Sequence, residues 1–225
     1  MTRLGIVTGL LIEARSISRA ARRHPNNNAP LVFATAGDAS RAYASACDMV
    51  AQGAQGLVSF GMAGGLDPAL RPGDIVVADS VQDPDGTTPT HTDWRIGVTA
   101  ALSAKTGAVY GSDHALGSVA EKQALFTAHS LSIVDMESHG VAQAAREHDL
   151  PFLIVRAVAD PATMPIPTAA RFGIGPGGER RALNVLAGLL RRPSELPAIL
   201  RLARHSSAAM TALDIAAPVI LDSCP

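Results

Sequence analysis

Cysteine is nearly missing: two residues, Cys47 within a helical pattern and Cys224 beside the final proline, are too few and too far apart for a disulfide framework or a thiolate metal site. Charge is scarce as well. Only 17% of residues are charged and the formal net charge is −1, so no global positive field exists to hold nucleic acid. No run of eighteen apolar residues occurs, and Met1–Val7 enters a strand-like segment without the apolar stretch of a secretion signal. The expectation is a cytoplasmic chain that is neither exported nor membrane-spanning. None of the seven histidines has a ligand spacing such as H-E-x-x-H, so no metal is expected. The cluster Gly61, Gly64 and Gly65 lacks the G-x-G-x-x-G spacing, and no G-x-x-x-x-G-K-[ST] element exists; neither dinucleotide nor P-loop binding is supported. A tight glycine turn is the expectation there.

What is present is an ordinary apolar fraction of 47% in 225 residues, enough for one domain with a substantial core. Short apolar runs read as buried strands at Leu4–Thr8, Leu31–Ala34, Leu57–Phe60, Ile75–Ala78, Ala108–Tyr110, Ile133–Met136 and Phe152–Val158. Helical patterns separate them at Ile12–Arg23, Ser40–Gln52, Thr92–Ala104, Val119–Ala128 and Ser138–His148, with another at Glu179–Leu190. This alternation predicts an α/β fold with a mixed central sheet flanked by helices. Residues 1–192 form its body. Residues 193–225 add an amphipathic helix, with Leu196, Ile199, Leu200 and Ala203 at helical spacing, and a tail from Ile215 whose two prolines discourage further helix. The Pro- and Gly-rich stretch from Pro161 to Gly178 directly follows a strand, which is where α/β folds place their sites.

Three acids stand where strands give way to loops or helices: Glu13, Glu137 and Asp160. Taken singly, each is an ordinary surface acid, cap or ion-pair partner. Their surroundings change that reading. Val134-Asp135-Met136-Glu137-Ser138-His139-Gly140, followed by Leu150-Pro151-Phe152-Leu153-Ile154-Val155-Arg156-Ala157-Val158-Ala159-Asp160, closely resembles the signature of the purine nucleoside phosphorylase and nucleosidase superfamily. Ser59–Asp74 looks like that family's glycine turn and Gly5–Glu13 like its first strand and loop, so the resemblance runs roughly from residue 3 to 190. Within the superfamily, Val134–His139 and Leu189–Arg204 look closest to the hopanoid-associated phosphorylase group.

The resemblance implies a single-domain nucleoside phosphorylase/hydrolase-like fold, no cofactor, and cleavage of the bond between adenine and ribose, with adenosylhopane as the substrate. That reaction passes through an oxocarbenium-like ribosyl centre and expels a poor leaving group, which needs a proton. Asp160 matches the family's acid at adenine N7, and burial or carboxylate neighbours would have to raise its pKa. Glu137 matches the residue that grips the ribose hydroxyls, and Met136 a hydrophobic wall against the sugar or a core filler. Glu13 falls where hydrolytic members keep the carboxylate that activates water. Against hydrolysis stand Arg15 and Arg156, whose guanidinium forks suit a phosphate co-substrate, and Gly5–Gly9 and Gly61–Gly65, whose amides suit an anion. Arg156 has a second reading as a buried partner orienting Asp160 or Glu137. Gly9, Gly61, Met62, Ala63 and Gly64 complete the expected lining, although Met62 replaces the small hydroxyl residue of many relatives. His114 and Ala115 are expected near the base.

Residues 179–205 carry six arginines against two glutamates, a formal +4. For a lipid-linked nucleoside this basic segment could rest peripherally on the inner membrane face, although packing on the core or a subunit is the commoner role. The resemblance also implies a homo-oligomer. The alternatives are a phosphorylase for the same substrate, a methylthioadenosine/adenosylhomocysteine nucleosidase, and a non-catalytic nucleoside-binding protein.

Overall fold

Alternation of side chains between two cores organises the start of the chain. In β1 (Leu4–Thr8), buried at every position, Leu4 and Ile6 face one core and Val7 the other. A strand buried on both faces requires cover on both. Ile17 and Ala20 of α1 (Leu11–Arg23) supply one side, and Ala42, Ala46 and Met49 of α2 (Ala39–Ala51) the other. Asp38 starts α2 by accepting the Arg41 N–H at 2.9 Å, which satisfies an otherwise unpaired helix donor. β2 (Leu31–Ala34) and β3 (Gly56–Gly65) flank β1, both parallel to it. The computed structural model describes residues 2–23, 29–168, 178–179, 192–223 and 225.

The chain continues through β4 (Ile75–Asp83), β5 (Gly86–Pro89), α3 (Thr92–Leu102), β6 (Lys105–Gly111), α4 (Val119–His129), β7 (Ile133–Asp135), α5 (Ser138–Glu147), β8 (Phe152–Asp160) and α6 (Leu196–Asp222). The sheet order is β2-β1-β3-β7-β6-β4-β5, with β8 pairing parallel to β3 and antiparallel to β4. Thus β3, β7, β6, β4 and β8 close into a ring. α2 and α5 cover one face, and α1, α3 and α6 cover the other. The architecture is the expected α/β fold with a mixed sheet and flanking helices.

Four local expectations differ. β3 continues through the glycine cluster, with a register shift against β8 between Ala63 and Gly64, instead of turning at it. The glycines serve close approach: a Cβ at Gly61 would lie 2.8 Å from both Arg156 Nη1 and Glu13 Oε2, and one at Gly64 3.2 Å from Asp160 Oδ2. The hairpin strand β5 escaped notice, although Asp83 Oδ1 accepts the N–H groups of Asp85 (2.9 Å) and Gly86 (3.0 Å) in a turn with the usual residue types. The tail does form helix, since α6 passes Pro218 and reaches Asp222. Its buried face is also later than the periodicity placed it: Leu196 and Leu200 are 47% and 52% exposed, while Met210, Leu213, Ala216, Ala217 and Ile220 make the contact with the core. All of the expected helix Glu179–Leu190 except Glu179, and residues 169–177 of the loop toward Gly178, lie outside the described residues. Among the described residues no helix is long and apolar enough to cross a membrane.

Candidate active site

Glu13 sits in the first turn of α1, immediately after β1, and is 2% exposed. The Leu10 N–H donates to its Oε2 (2.7 Å) and the Met62 N–H of β3 to its Oε1 (2.9 Å). Burial raises its pKa; these amides, the Arg156 charge and the Gly9 amide partly oppose that shift.

Glu137 lies between β7 and α5. Asp135, two residues earlier, accepts the Glu137 N–H (3.2 Å) and the Ser138 N–H (2.9 Å), which pins the start of α5. Glu137 Oε2 accepts from Arg156 Nη2 at 3.1 Å. Its pKa is pushed up to about 7, first by burial and further by Asp135 and Glu13, against the pull of Arg156.

Arg156, 0% exposed on β8, is the hub. Its Nε lies 2.7 Å from Asp135 Oδ2, an ion pair outside hydrogen-bond alignment. Nη2 donates to Ser59 Oγ (2.6 Å) and Ser138 Oγ (3.3 Å) besides Glu137, and Nη1 donates to the Met62 carbonyl (3.3 Å). Burial lowers its pKa, but Asp135, Glu137 and Glu13 more than reverse that and hold it cationic.

Asp160 closes β8. Its Oδ2 accepts from Lys122 Nζ, which also donates to the carbonyls of Pro161 and Met164 (both 3.1 Å). Burial raises the pKa of Asp160, and Lys122 opposes the rise.

These groups meet at a cavity of about 220 Å³. Of the residues singled out from sequence, Gly9, Glu13, Met62, Ala63, Gly64, His114, Ala115, Met136, Glu137, Arg156 and Asp160 line it. Leu10, Gly37, Leu116, Val134, Asp135, Ala159 and Ile166 complete the wall. Gly61 stands behind it, making room for Glu13 and Arg156. Arg15 is exposed and does not line the cavity, because α1 turns that position outward while the next helical position toward the core, Ser16, is buried. Among the described residues no group of three His, Cys, Asp or Glu side chains is arranged to hold a metal ion.

Sequence reasoning missed Lys122, Ser59, Ser138, Gly37 and the part played by Asp135. One signal was available for Lys122. The chain holds 17 arginines and only two lysines, Lys105 and Lys122, so a lysine on an apolar helix face was already unusual. Ser59 and Ser138 offered no such signal; their roles come from proximity to Arg156.

The chain belongs to the Phosphorylase superfamily, whose sequence profile matches residues 29–172. A 5′-methylthioadenosine/S-adenosylhomocysteine nucleosidase of Staphylococcus aureus is 29% identical over 127 residues, covering 46% of this chain and 56% of that relative. The match therefore spans little more than half the relative's length. Among solved structures, the fold is shared with a 5′-methylthioadenosine/S-adenosylhomocysteine nucleosidase of Helicobacter pylori, determined with butyl-thio-DADMe-Immucillin-A, at TM-score 0.68, 16% identity and 96% and 97% coverage of the two chains. The native futalosine hydrolase of H. pylori gives the same TM-score, identity and coverage.

Proposed function

We propose that this protein hydrolyses the N-glycosidic bond of an adenosine-type nucleoside. In this reading the C1′–N9 bond breaks with its electron pair leaving on adenine, and Asp160 gives a proton to N7. Glu137 accepts from the ribose hydroxyls, and water adds to C1′ while Glu13 takes its proton. The observation that carries the reading is the state of Glu13. Its carboxylate occupies the Leu10 and Met62 amides, the donors an anion would otherwise use, and it places like charge where phosphate would sit. Its raised pKa suits a group that must accept a proton from water. Arg156 is engaged by Asp135, Glu137 and Ser59, and Arg15 stands outside the cavity, which further favours water over phosphate.

For the 5′ substituent we favour the hopane of adenosylhopane, on the likeness of Val134–His139 and 189–204 to the hopanoid-associated group. A cavity of about 220 Å³ falls below the usual range of small-molecule sites, about 300–1,000 Å³, so a pentacyclic tail would extend beyond it. Exposed Leu196 and Leu200, with exposed Arg201 and Arg204 on α6, would suit peripheral contact with an anionic bilayer from which such a substrate is drawn. A homo-oligomer remains part of the proposal. A second reading, a nucleosidase for methylthioadenosine or adenosylhomocysteine, is favoured by the small cavity and by the Staphylococcus aureus relative.

One assay separates these readings. The protein is incubated with adenosylhopane in detergent, methylthioadenosine or adenosylhomocysteine, with and without phosphate, and adenine and sugar products are followed by mass spectrometry. The expected result is phosphate-independent adenine release, fastest from adenosylhopane. Equal or faster turnover of the small thioethers selects the second reading. A phosphorylated sugar would overturn hydrolysis, and no adenine from any substrate would leave only a nucleoside-binding role.

A further inference from the structure

We propose that Lys122 is a positioning residue for Asp160, holding carboxylate Oδ2 so that Oδ1 remains for the departing base. The proposal rests on the hydrolytic reading above. Lys122 is the one buried side chain among the residues of α4 and is 0% exposed. Burying a lysine is costly unless its charge is paired and its protons are used. Here both conditions hold: the three donors of the ammonium go to Asp160 Oδ2, Pro161 O and Met164 O. No proton is left over for substrate, so Lys122 acts through Asp160 and through the loop it straps to α4.

The strap has a fixed base. Ser118 and Glu121 form a reciprocal cap at the start of α4, with the Ser118 N–H donating to Glu121 Oε2 (2.9 Å) and the Glu121 N–H to Ser118 Oγ (3.2 Å). At the other end, the Ile166 N–H donates to the Gly117 carbonyl at 3.1 Å, so residues 161–166 are tied to the α4 region at two places. Among the described residues no donor is bonded to Asp160 Oδ1, and Asp160 lines the cavity.

The charges around the cavity divide into two sets. Glu13, Asp135, Glu137 and Arg156 act on one another, and Lys122 is the charged group acting on Asp160; His114 is the remaining titratable group on the wall. When Asp160 gives its proton to N7 it becomes a carboxylate beside a buried ammonium. That interaction is stronger after proton transfer than before it, so it lowers the barrier rather than only tightening binding. Removing the ammonium should favour neutral Asp160 and move its titration to higher pH.

The test compares wild type with Lys122→Met and Lys122→Arg, and uses Lys122→Gln where the methionine variant does not fold. Asp160 is titrated by NMR of ¹³C-labelled aspartate carboxyls, with Asp160→Asn for assignment. In parallel, kcat and KM for adenine release from methylthioadenosine are followed from about pH 5 to about pH 9. Lys122→Met, or Lys122→Gln, should raise the Asp160 titration midpoint by about one unit or more, move the alkaline limb of kcat the same way, and lower kcat by about 10- to 100-fold with little change in KM. Lys122→Arg should keep the wild-type midpoint. An unmoved Asp160 titration in the charge-removing variant would overturn the proposal, as would an arginine variant that shifts it equally. Absence of adenine release from wild type on every nucleoside counts against hydrolysis, whereas the carboxyl titration reads the hold of Lys122 on Asp160 independently.

Discussion

Four carboxylates, those of Glu13, Asp135, Glu137 and Asp160, and the Arg156 guanidinium line one cavity, and the cost of burying them is met differently at each residue. Glu13 is paired with backbone amides, Glu137 with Arg156 and Asp160 with Lys122. Burial outweighs this pairing, so Glu13, Glu137 and Asp160 all keep raised pKa values, and in the proposed reaction Glu13 and Asp160 are the two that exchange protons. Replacing either acid by its amide keeps size and removes the proton traffic. Asp160→Asn and Glu13→Gln are each expected to lower kcat by about 10²- to 10⁴-fold while KM changes less. Steady-state adenine release checks this, and wild-type-like kcat in Asp160→Asn would remove Asp160 from the proton-donating role.

At the scale of elements, α6 shows packing overruling local preference. Proline within a helix interior removes a hydrogen bond and crowds the preceding turn, a cost of about 3 kcal/mol. Helix nevertheless continues through Pro218, because Met210, Leu213, Ala216, Ala217 and Ile220 are buried against the core and Asp214 Oδ1 accepts from Ser16 Oγ at 2.6 Å. Each fully buried aliphatic side chain contributes about 1.5–3 kcal/mol, so a few of them outweigh the proline. Pro218→Ala is therefore expected to stabilise the fold by about 1–2 kcal/mol, a rise in Tm of about 2–8 °C by calorimetry. An unchanged or lower Tm would mean that the helix bends around Pro218 without strain.

The whole molecule feels the site through pH, since the acids come from distant segments, α1, the β7–α5 junction and the end of β8, and are buried together only in the folded state. Glu137 is raised from 4.5 to about 7 on folding. Between those values the folded state binds more protons than the unfolded one. Its contribution is thus fully present below about pH 4.5 and is lost as pH rises through about 7. At about 1.4 kcal/mol per unit, the loss is on the order of 3 kcal/mol. Glu137→Gln lacks this titration, so urea unfolding should show the variant gaining on wild type by about that amount between pH 5 and pH 8. Parallel stability curves for the two proteins would sink the argument.

The sequence by itself determined the α/β class, most strand and helix positions, and the acids on which the proposed chemistry depends. These are local properties: apolar runs of strand length, helical periodicity, and short motifs such as Met136-Glu137 and Arg156-x-x-x-Asp160. Only the tertiary structure decided which groups share the cavity. It removed Arg15 from the site and made Arg156 a hub. It kept Gly61 and Gly64 in a strand and brought Lys122 from α4 onto Asp160, 38 residues away in the chain. It also held the last turns of α6 in helix past Pro218. Each of these outcomes depends on contacts between distant segments, whose burial and pairing energies exceed the local preferences legible along the chain.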